Sequence, residues 1–322
     1  MPKQKLLIVD DISSIRFAIQ DYLSSLFEVV TANDGQEAVQ IIENQDSKTQ
    51  FNLILSDIRM PGMTGIELIQ NIQNRFPSIQ YALMTAYDVN DYVEYARKYR
   101  IWNIIPKSAF LDLEFVKVMA QKLTGSELFG FKLQFPDLIE QQVSLGQVYR
   151  MHRDVDFRLP DLTFSECSIS SDEERFRMCD MVSELLRRHR APALIRVILE
   201  ELTMNARDYG SNQFERPIQL GFGCYKDNLL FSVSDSLGSL DRSEILYWLE
   251  RNVTYDDAGR PKSLTDSHGR GLFISRENLD HLIFNIQQDV KTEILGILQP
   301  DAEFRNKAIS IYYRDKEGRI RQ

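Results

Sequence analysis

Along the first 123 residues, short apolar runs alternate with segments whose apolar positions recur at helical spacing. Residues 6–9, 28–31, 53–55, 81–84 and 103–105 read as five strands. Patterned segments near 12–25, 34–44, 65–75, 89–99 and 110–123 read as helices between and after them. Strands joined through helices of this length imply βαβ crossovers and a doubly wound parallel sheet covered on both faces. In such sheets ligands gather at the carboxyl ends of the strands.

Thr124-Gly125-Ser126 breaks this rhythm. Residues 124–155 read as a helical connector, in which Pro136 interrupts any earlier helix and apolar Leu138, Ile139, Val143, Leu145 and Val148 pattern a helix over 137–151. Beyond it, residues 157–164 resemble a strand. Residues 172–189 follow as a helix capped by Ser171 or Asp172, and 192–208 as another with Pro192 at its start. Two strands are predicted at 218–225 and 228–234, a helix at 241–252, a polar loop to Ser267, and a last helical stretch at 273–282.

Composition narrows the class. A chain of 322 residues suggests two domains at roughly 150 residues each. The part before Thr124 carries 12 basic and 15 acidic residues, net −3; the remainder carries 26 and 32, net −6. Neither part is basic, so no nucleic-acid partner is expected. No apolar run reaches ~18 residues, so no membrane span or membrane partner is expected. The opening MPKQKLLIVDD is no secretory signal. Cys167, Cys179 and Cys224 are odd in number and lack metal-ligand spacing, which points to a reduced, cytoplasmic protein.

The polar residues at the strand ends carry the first chemistry. Strand one ends in Asp10-Asp11, strand three in Ser56-Asp57, strand four in Thr85, and strand five runs into Lys107. Carboxylates converging on one rim repel each other and call for a cation; oxygen ligands with room for water and phosphate suit Mg²⁺. A carboxylate flanked by Mg²⁺, a hydroxyl and a lysine can accept a phosphoryl group, because charge is neutralised from several sides. VDD at 9–11, SDIRMPGMTGIEL at 56–68, MTA at 84–86 and the lysine after strand five resemble a response-regulator receiver domain over residues 3–123, with its flavodoxin-like five-stranded parallel sheet. The resemblance implies that Asp57 is the phosphoacceptor and that Asp10, Asp11 and Asp57 hold Mg²⁺ together with the backbone carbonyl of Arg59. Thr85 would be the switch hydroxyl and Lys107 the contact to the phosphoryl group. It also implies an upstream sensor histidine kinase or phosphotransfer protein. Two departures stand out. Pro106 precedes Lys107 and Ser108 follows it, where the family has Lys-Pro, and Ile104 stands where the family carries an aromatic switch residue. Trp102, or the stripe Tyr92, Tyr95 and Tyr99, is the candidate substitute; the stripe equally fits half-buried core.

The helix expected at 192–208 carries Glu201 and Asn205, four apart and on one face. Asn can offer an oxygen to Mg²⁺, and Glu can orient or deprotonate a nucleophile. Asp235 closes a predicted strand, where a carboxylate can accept from an exocyclic amine. His268-Gly269-Arg270-Gly271 precedes a helix, where glycines expose N–H groups to phosphate. EELTMNARDYG, SVSDSLG and HGRGLFIS, in that order, resemble the three nucleotide boxes of the ATPase fold shared by histidine kinases and gyrase-type ATPases, over residues 156–315. The spacing looks most like the anti-sigma-factor serine kinases. The resemblance implies an α/β sandwich with a mixed, mostly antiparallel sheet, and ATP and Mg²⁺ as cofactors. Asn205 would bind the metal, Asp235 the adenine, and Gly269, Arg270 and Gly271 the phosphates, with Glu201 as catalytic base. In the second box Leu237 and Ser239 replace two glycines, leaving Gly238 as the glycine expected beside the nucleotide. His152 and His189 read as surface or interfacial residues; His189 stands too close to Asn205 for a dimerising hairpin that carries a phosphorylatable histidine.

Together these readings predict a phosphorylation-controlled response regulator with an ATP-dependent protein kinase output of the anti-sigma type. Two alternatives stay open: a nucleotide-binding module that sequesters a partner without catalysis, and a histidine kinase acting on a histidine in trans. The expected downstream partner is a protein, of the sigma-factor or anti-sigma-antagonist type, and a homodimer is an open option.

Overall fold

A computed structural model describes residues 3–44, 50–107, 111–265, 269–302 and 307–320. Ser108 and His268, which belong to the quoted motifs, lie outside the described residues. The chain divides into two compact units: residues 1–128 with 308–312 and 320–322, and residues 129–307 with 313–319.

In the first unit the elements run β1 (Gln4–Val9), α1 (Ser13–Leu23), β2 (Phe27–Ala32), α2 (Gly35–Glu43), β3 (Leu53–Asp57), α3 (Gly65–Ile72), β4 (Gln80–Thr85), a 3-10 turn (Val89–Tyr92), α4 (Val93–Tyr99), β5 (Asn103–Pro106) and α5 (Leu113–Thr124). The strands are parallel in the order β2-β1-β3-β4-β5. Leu53 to Asp57 are all buried, which explains why the strand reads as a continuous apolar run rather than an alternation. The helix starts are set locally. Asp34 accepts from the Glu37 N–H, Asp112 from the Phe115 N–H, and Thr64 and Glu67 form a reciprocal capping box. The register places Val9 opposite Ser56, Asp57 opposite Met84 and Thr85 opposite Pro106, so the polar strand ends share one rim.

One strand of this sheet has no counterpart among the predicted elements. Ile309 and Ser310, from a strand introduced below as β12, pair antiparallel with Ile104 and Asn103 of β5. The Ile311 N–H donates to the Trp102 carbonyl at 3.1 Å, and Asn103 Nδ2 donates to the Ile311 carbonyl at 3.3 Å.

The second unit contains β6 (Ile139–Gln142), α6 (Leu145–Arg153), β7 (Thr163–Ile169), α7 (Asp172–Arg187), α8 (Ile195–Asn205), a π-helical turn (Ala206–Gly210), β8 (Ile218–Tyr225), β9 (Asn228–Asp235), α9 (Arg242–Val253), a 3-10 turn (Lys262–Thr265), α10 (Arg270–Asn278), β10 (His281–Gln287) and β11 (Lys291–Leu298); β12 (Ile309–Arg314) follows. Its sheet has the order β10-β11-β9-β8-β7-β6, antiparallel throughout except for the parallel β6–β7 pair. It is a large mixed sheet. The amphipathic α7 packs against α6 and α8, and α8 packs against α10.

Several local expectations change. The helix expected over 137–151 is a strand followed by a shorter helix. Ile139 to Gln142 pair with Thr163 to Glu166, and Ser144 with Gln147 forms a capping box that restarts the chain as α6. The connector therefore includes an edge strand, and residues 129–155 belong to the second unit. The strand expected at 157–164 begins only at Thr163. The helix expected to reach residue 282 ends at Asn278, and His281 opens β10. Among the described residues no helix is long and apolar enough to cross a membrane.

Candidate functional site

Asp10, Asp11 and Asp57 each offer a carboxylate oxygen, and these oxygens lie within 4.8 Å of one another. Asp10 is fully buried, Asp57 is 6% exposed and Asp11 is exposed, so the cluster opens to solvent on the Asp11 side. Hard oxygen ligands in this number suit Mg²⁺. Lys107 Nζ lies 2.9 Å from Asp10 Oδ2 and 2.9 Å from Asp57 Oδ2. Burial pushes the Asp57 carboxyl above the usual carboxylate range; Lys107 opposes that shift, and Asp10 adds to it. Burial works against the charge of Lys107, but its bonds to Asp57 and Asp10 overcome it and hold the ammonium above its ordinary value. The Pro106-Lys107 order does not prevent this arrangement: the Lys107 N–H donates to the Thr85 carbonyl at 2.5 Å, which keeps the lysine at the rim.

Thr85 is 1% exposed, and its hydroxyl accepts from the Tyr87 N–H at 3.0 Å. Arg59, two residues past Asp57, turns its side chain to tyrosines: Nε donates to the Tyr92 hydroxyl at 2.9 Å, and the guanidinium lies 3.9 Å from the centre of the Tyr87 ring. Of the tyrosine stripe, Tyr92 is thus buried and tied to the residue next but one to Asp57, while Tyr95 and Tyr99 stack at 6.5 Å. Ile104 is fully buried.

The second unit holds a cavity of about 130 Å³. Of the residues expected at a nucleotide site, Asn205, Asp235 and Gly269 line it; they come from α8, β9 and the cap of α10. Gly210 lets the turn after Asn205 reach Asp235, since a Cβ there would stand 2.2 Å from the carboxylate. Asp235 is 8% exposed and burial raises its pKa, against the N–H groups of Leu237 at 3.0 Å and Gly238 at 3.1 Å that bind its Oδ1. Gly269 has φ +87°, and a Cβ on it would stand 2.4 Å from Trp248, so its cap geometry and its contact both require glycine.

The other expected residues lie beside the cavity rather than on its wall. Glu201 packs on Gly271, where a Cβ would stand 2.4 Å from its Oε2. Arg270 opens α10. Gly238, with φ +61°, meets backbone: a Cβ would stand 2.1 Å from the Gln287 carbonyl oxygen. It is therefore held by the β10–β11 turn and orients Asp235 through its N–H. Tyr209, Glu244, Trp248 and Thr292 also line the cavity and were not among the expected residues. Thr292 sits on β11 opposite Asp235, is 3% exposed, and its hydroxyl works with the Leu237 and Gly238 N–H groups against the rise in the Asp235 pKa. His189, between α7 and α8, is half-buried; its Nε2 accepts from the Leu159 N–H at 2.9 Å, which makes it a structural tie.

Residues 6–114 match the family model of the response regulator receiver domain. A cyclic di-GMP phosphodiesterase of Thermotoga maritima is 34% identical over 114 residues, 35% of this chain and 29% of that protein. The response regulator protein FleR of Pseudomonas aeruginosa is 32% identical over 131 residues, 39% of this chain and 27% of its own length. The DNA-binding transcriptional regulator NtrC of Escherichia coli is 27% identical over 188 residues, covering 56% of this chain and 38% of that protein. This chain thus spans well under half the length of these curated relatives. A solved structure of the response regulator protein TrrA of Thermotoga maritima, in complex with Mg²⁺ and BeF, is 26% identical, covers 37% of this chain and 98% of its own, and has a TM-score of 0.33. Receiver domains bind Mg²⁺ at an acidic pocket and work with upstream histidine kinases or phosphotransfer proteins. The N-terminal unit of this chain is a response regulator receiver domain of two-component signalling.

Proposed function

We propose that the chain is a response regulator whose second unit binds ATP with Mg²⁺ and transfers phosphate to a serine or threonine of a partner protein, under control of the receiver. The relatives bear names with different outputs, so the output is read from the second unit itself. The observation that carries the reading is the convergence of Asn205, Asp235 and Gly269 from three separated sequence stretches onto one cavity. The donor set fits an adenine nucleotide. Asp235 is a buried acceptor for an exocyclic amine, Thr292 sets a buried hydroxyl beside it, and the N-terminus of α10 suits phosphate. ATP supplies the phosphoryl group. Asn205 would hold the metal, and Glu201, packed on Gly271, would take the proton of the attacking hydroxyl. In the receiver, Asp57 would be the phosphoacceptor, with Asp10, Asp11 and the Arg59 carbonyl sharing Mg²⁺, Thr85 as switch hydroxyl and Lys107 facing the phosphoryl group.

Partner sequestration without catalysis is the second reading. Gly238 is locked against the β10–β11 turn, and Leu237 and Ser239 flank it, which leaves little glycine freedom beside the nucleotide. One experiment separates the two. Labelled ATP and Mg²⁺ are incubated with candidate partner proteins, using the wild type and Glu201→Ala. Transfer that Glu201→Ala abolishes while ATP binding persists supports the kinase. Partner binding without transfer by either protein supports sequestration.

A further inference from the structure

Glu244, an acidic residue, lines a cavity proposed to take a polyanion. Its side chain has no hydrogen-bond or ion-pair partner among the described residues, whereas its backbone N–H donates to the Asp241 carbonyl. Its place in the first turn of α9 favours a negative charge at the helix N-terminus. That preference is met by any orientation, however, and does not account for an acidic residue on the cavity lining.

Position along α9 gives the account. Glu244 and Trp248 are four residues apart, on one face of the helix, and both line the cavity. Trp248 sits against Gly269, at the phosphate end. Glu244 lies about one turn nearer the helix start, about 6 Å away along the axis. It therefore lies toward Ser239 and Leu240, which line the cavity and follow directly on the Asp235 loop at the base end. A nucleotide spanning these ends has only its sugar between base and phosphates. The sugar is also the one part of ATP that offers two hydroxyl donors to a carboxylate.

We infer that Glu244 accepts hydrogen bonds from the ribose hydroxyls and makes the site selective for ribonucleotides over deoxyribonucleotides. The inference rests on the nucleotide reading of the cavity. The carboxylate adds selectivity by rewarding a hydroxyl that the deoxy analogue lacks.

Calorimetric titration of the full chain with ATP, 2′-deoxy-ATP and 3′-deoxy-ATP, each with Mg²⁺, tests it. Wild type should bind ATP about tenfold more tightly than at least one deoxy analogue. Glu244→Ala should weaken ATP to the level of that analogue and leave the analogue itself within about twofold. Glu244→Gln, which keeps an acceptor oxygen, should fall between. Glu244 is exposed, so circular dichroism should show all three proteins folded. Equal affinities for the three nucleotides in wild type, or an unchanged ratio in Glu244→Ala, overturn the ribose contact and leave the nucleotide reading standing. Absence of binding by all three nucleotides overturns both.

Discussion

Lys107 Nζ stands 2.9 Å from Asp57 Oδ2, although a proline precedes the lysine instead of following it. The ammonium is buried with two carboxylates around it, so it neutralises charge before any metal or phosphoryl group arrives. Asp57→Asn should abolish incorporation of acid-stable, hydroxylamine-labile phosphate from a small-molecule donor such as acetyl phosphate, and chelation of Mg²⁺ should do the same. Lys107→Met should slow incorporation by about a hundredfold, the scale of losing one preorganised donor. Labelling kinetics check all three. Unchanged rates in Lys107→Met would remove the lysine from the site.

The turn after Asn205 touches Asp235 at Gly210, where no space remains for a methyl group. Gly210→Ala should cost about 2 kcal/mol through overpacking, read as a lower midpoint in denaturant. Nucleotide binding should be lost at temperatures where the protein remains folded. Intact binding would separate this contact from the cavity.

Gly238 packs on the backbone of the β10–β11 turn and is not among the residues that line the cavity. Its φ of +61° and the nearby Gln287 carbonyl make Gly238→Ala costly in stability, by roughly 2 kcal/mol or more. The effect on ligand should differ from that of Gly210→Ala: nucleotide affinity of the folded fraction should change by less than about threefold. A selective loss of affinity with unchanged stability would restore Gly238 to the binding site.

His189 links acid to unfolding. Burial, with Arg158 nearby, holds its imidazole below the ordinary 6.5, so the folded state resists protonation that the unfolded chain accepts. Stability should be full above pH 6.5 and decline as the pH falls below it. His189→Gln should flatten that part of the profile while keeping an acceptor for the Leu159 N–H. Denaturant midpoints measured from pH 7.5 to 5 give the comparison.

The receiver was legible because its signals are local. Buried parallel strands read as apolar runs, and the residues that matter sit at the ends of those runs, as Asp10, Asp57, Thr85 and Lys107 do. Order along the chain also sufficed to bring Asn205, Asp235 and Gly269 to one cavity. What escaped was set by distant partners. The short β6 is a strand only because β7 offers it a ladder, since its four side chains are all exposed and carry no alternation. Thr292 enters the cavity because β11 pairs with β9 in a register that no local pattern announces. Trp248 and Glu244 look like ordinary positions on an amphipathic helix until Gly269 is seen against one of them. Gly238 was recognisable as a necessary glycine, but the reason lies in a turn some fifty residues further on.

The pairing of Ile309 and Ser310 with β5 means that sequence order and spatial order part company at the receiver's boundary. A fragment that stops at Leu128 would contain every acid of the phosphoryl site yet leave Asn103 and Ile104 with an open hydrogen-bonding edge. Exposed edges recruit strands from other molecules. Such a fragment invites self-association that the intact chain forestalls with its own last strand. A faithful isolated receiver would have to carry residues 308–312 as a tethered segment.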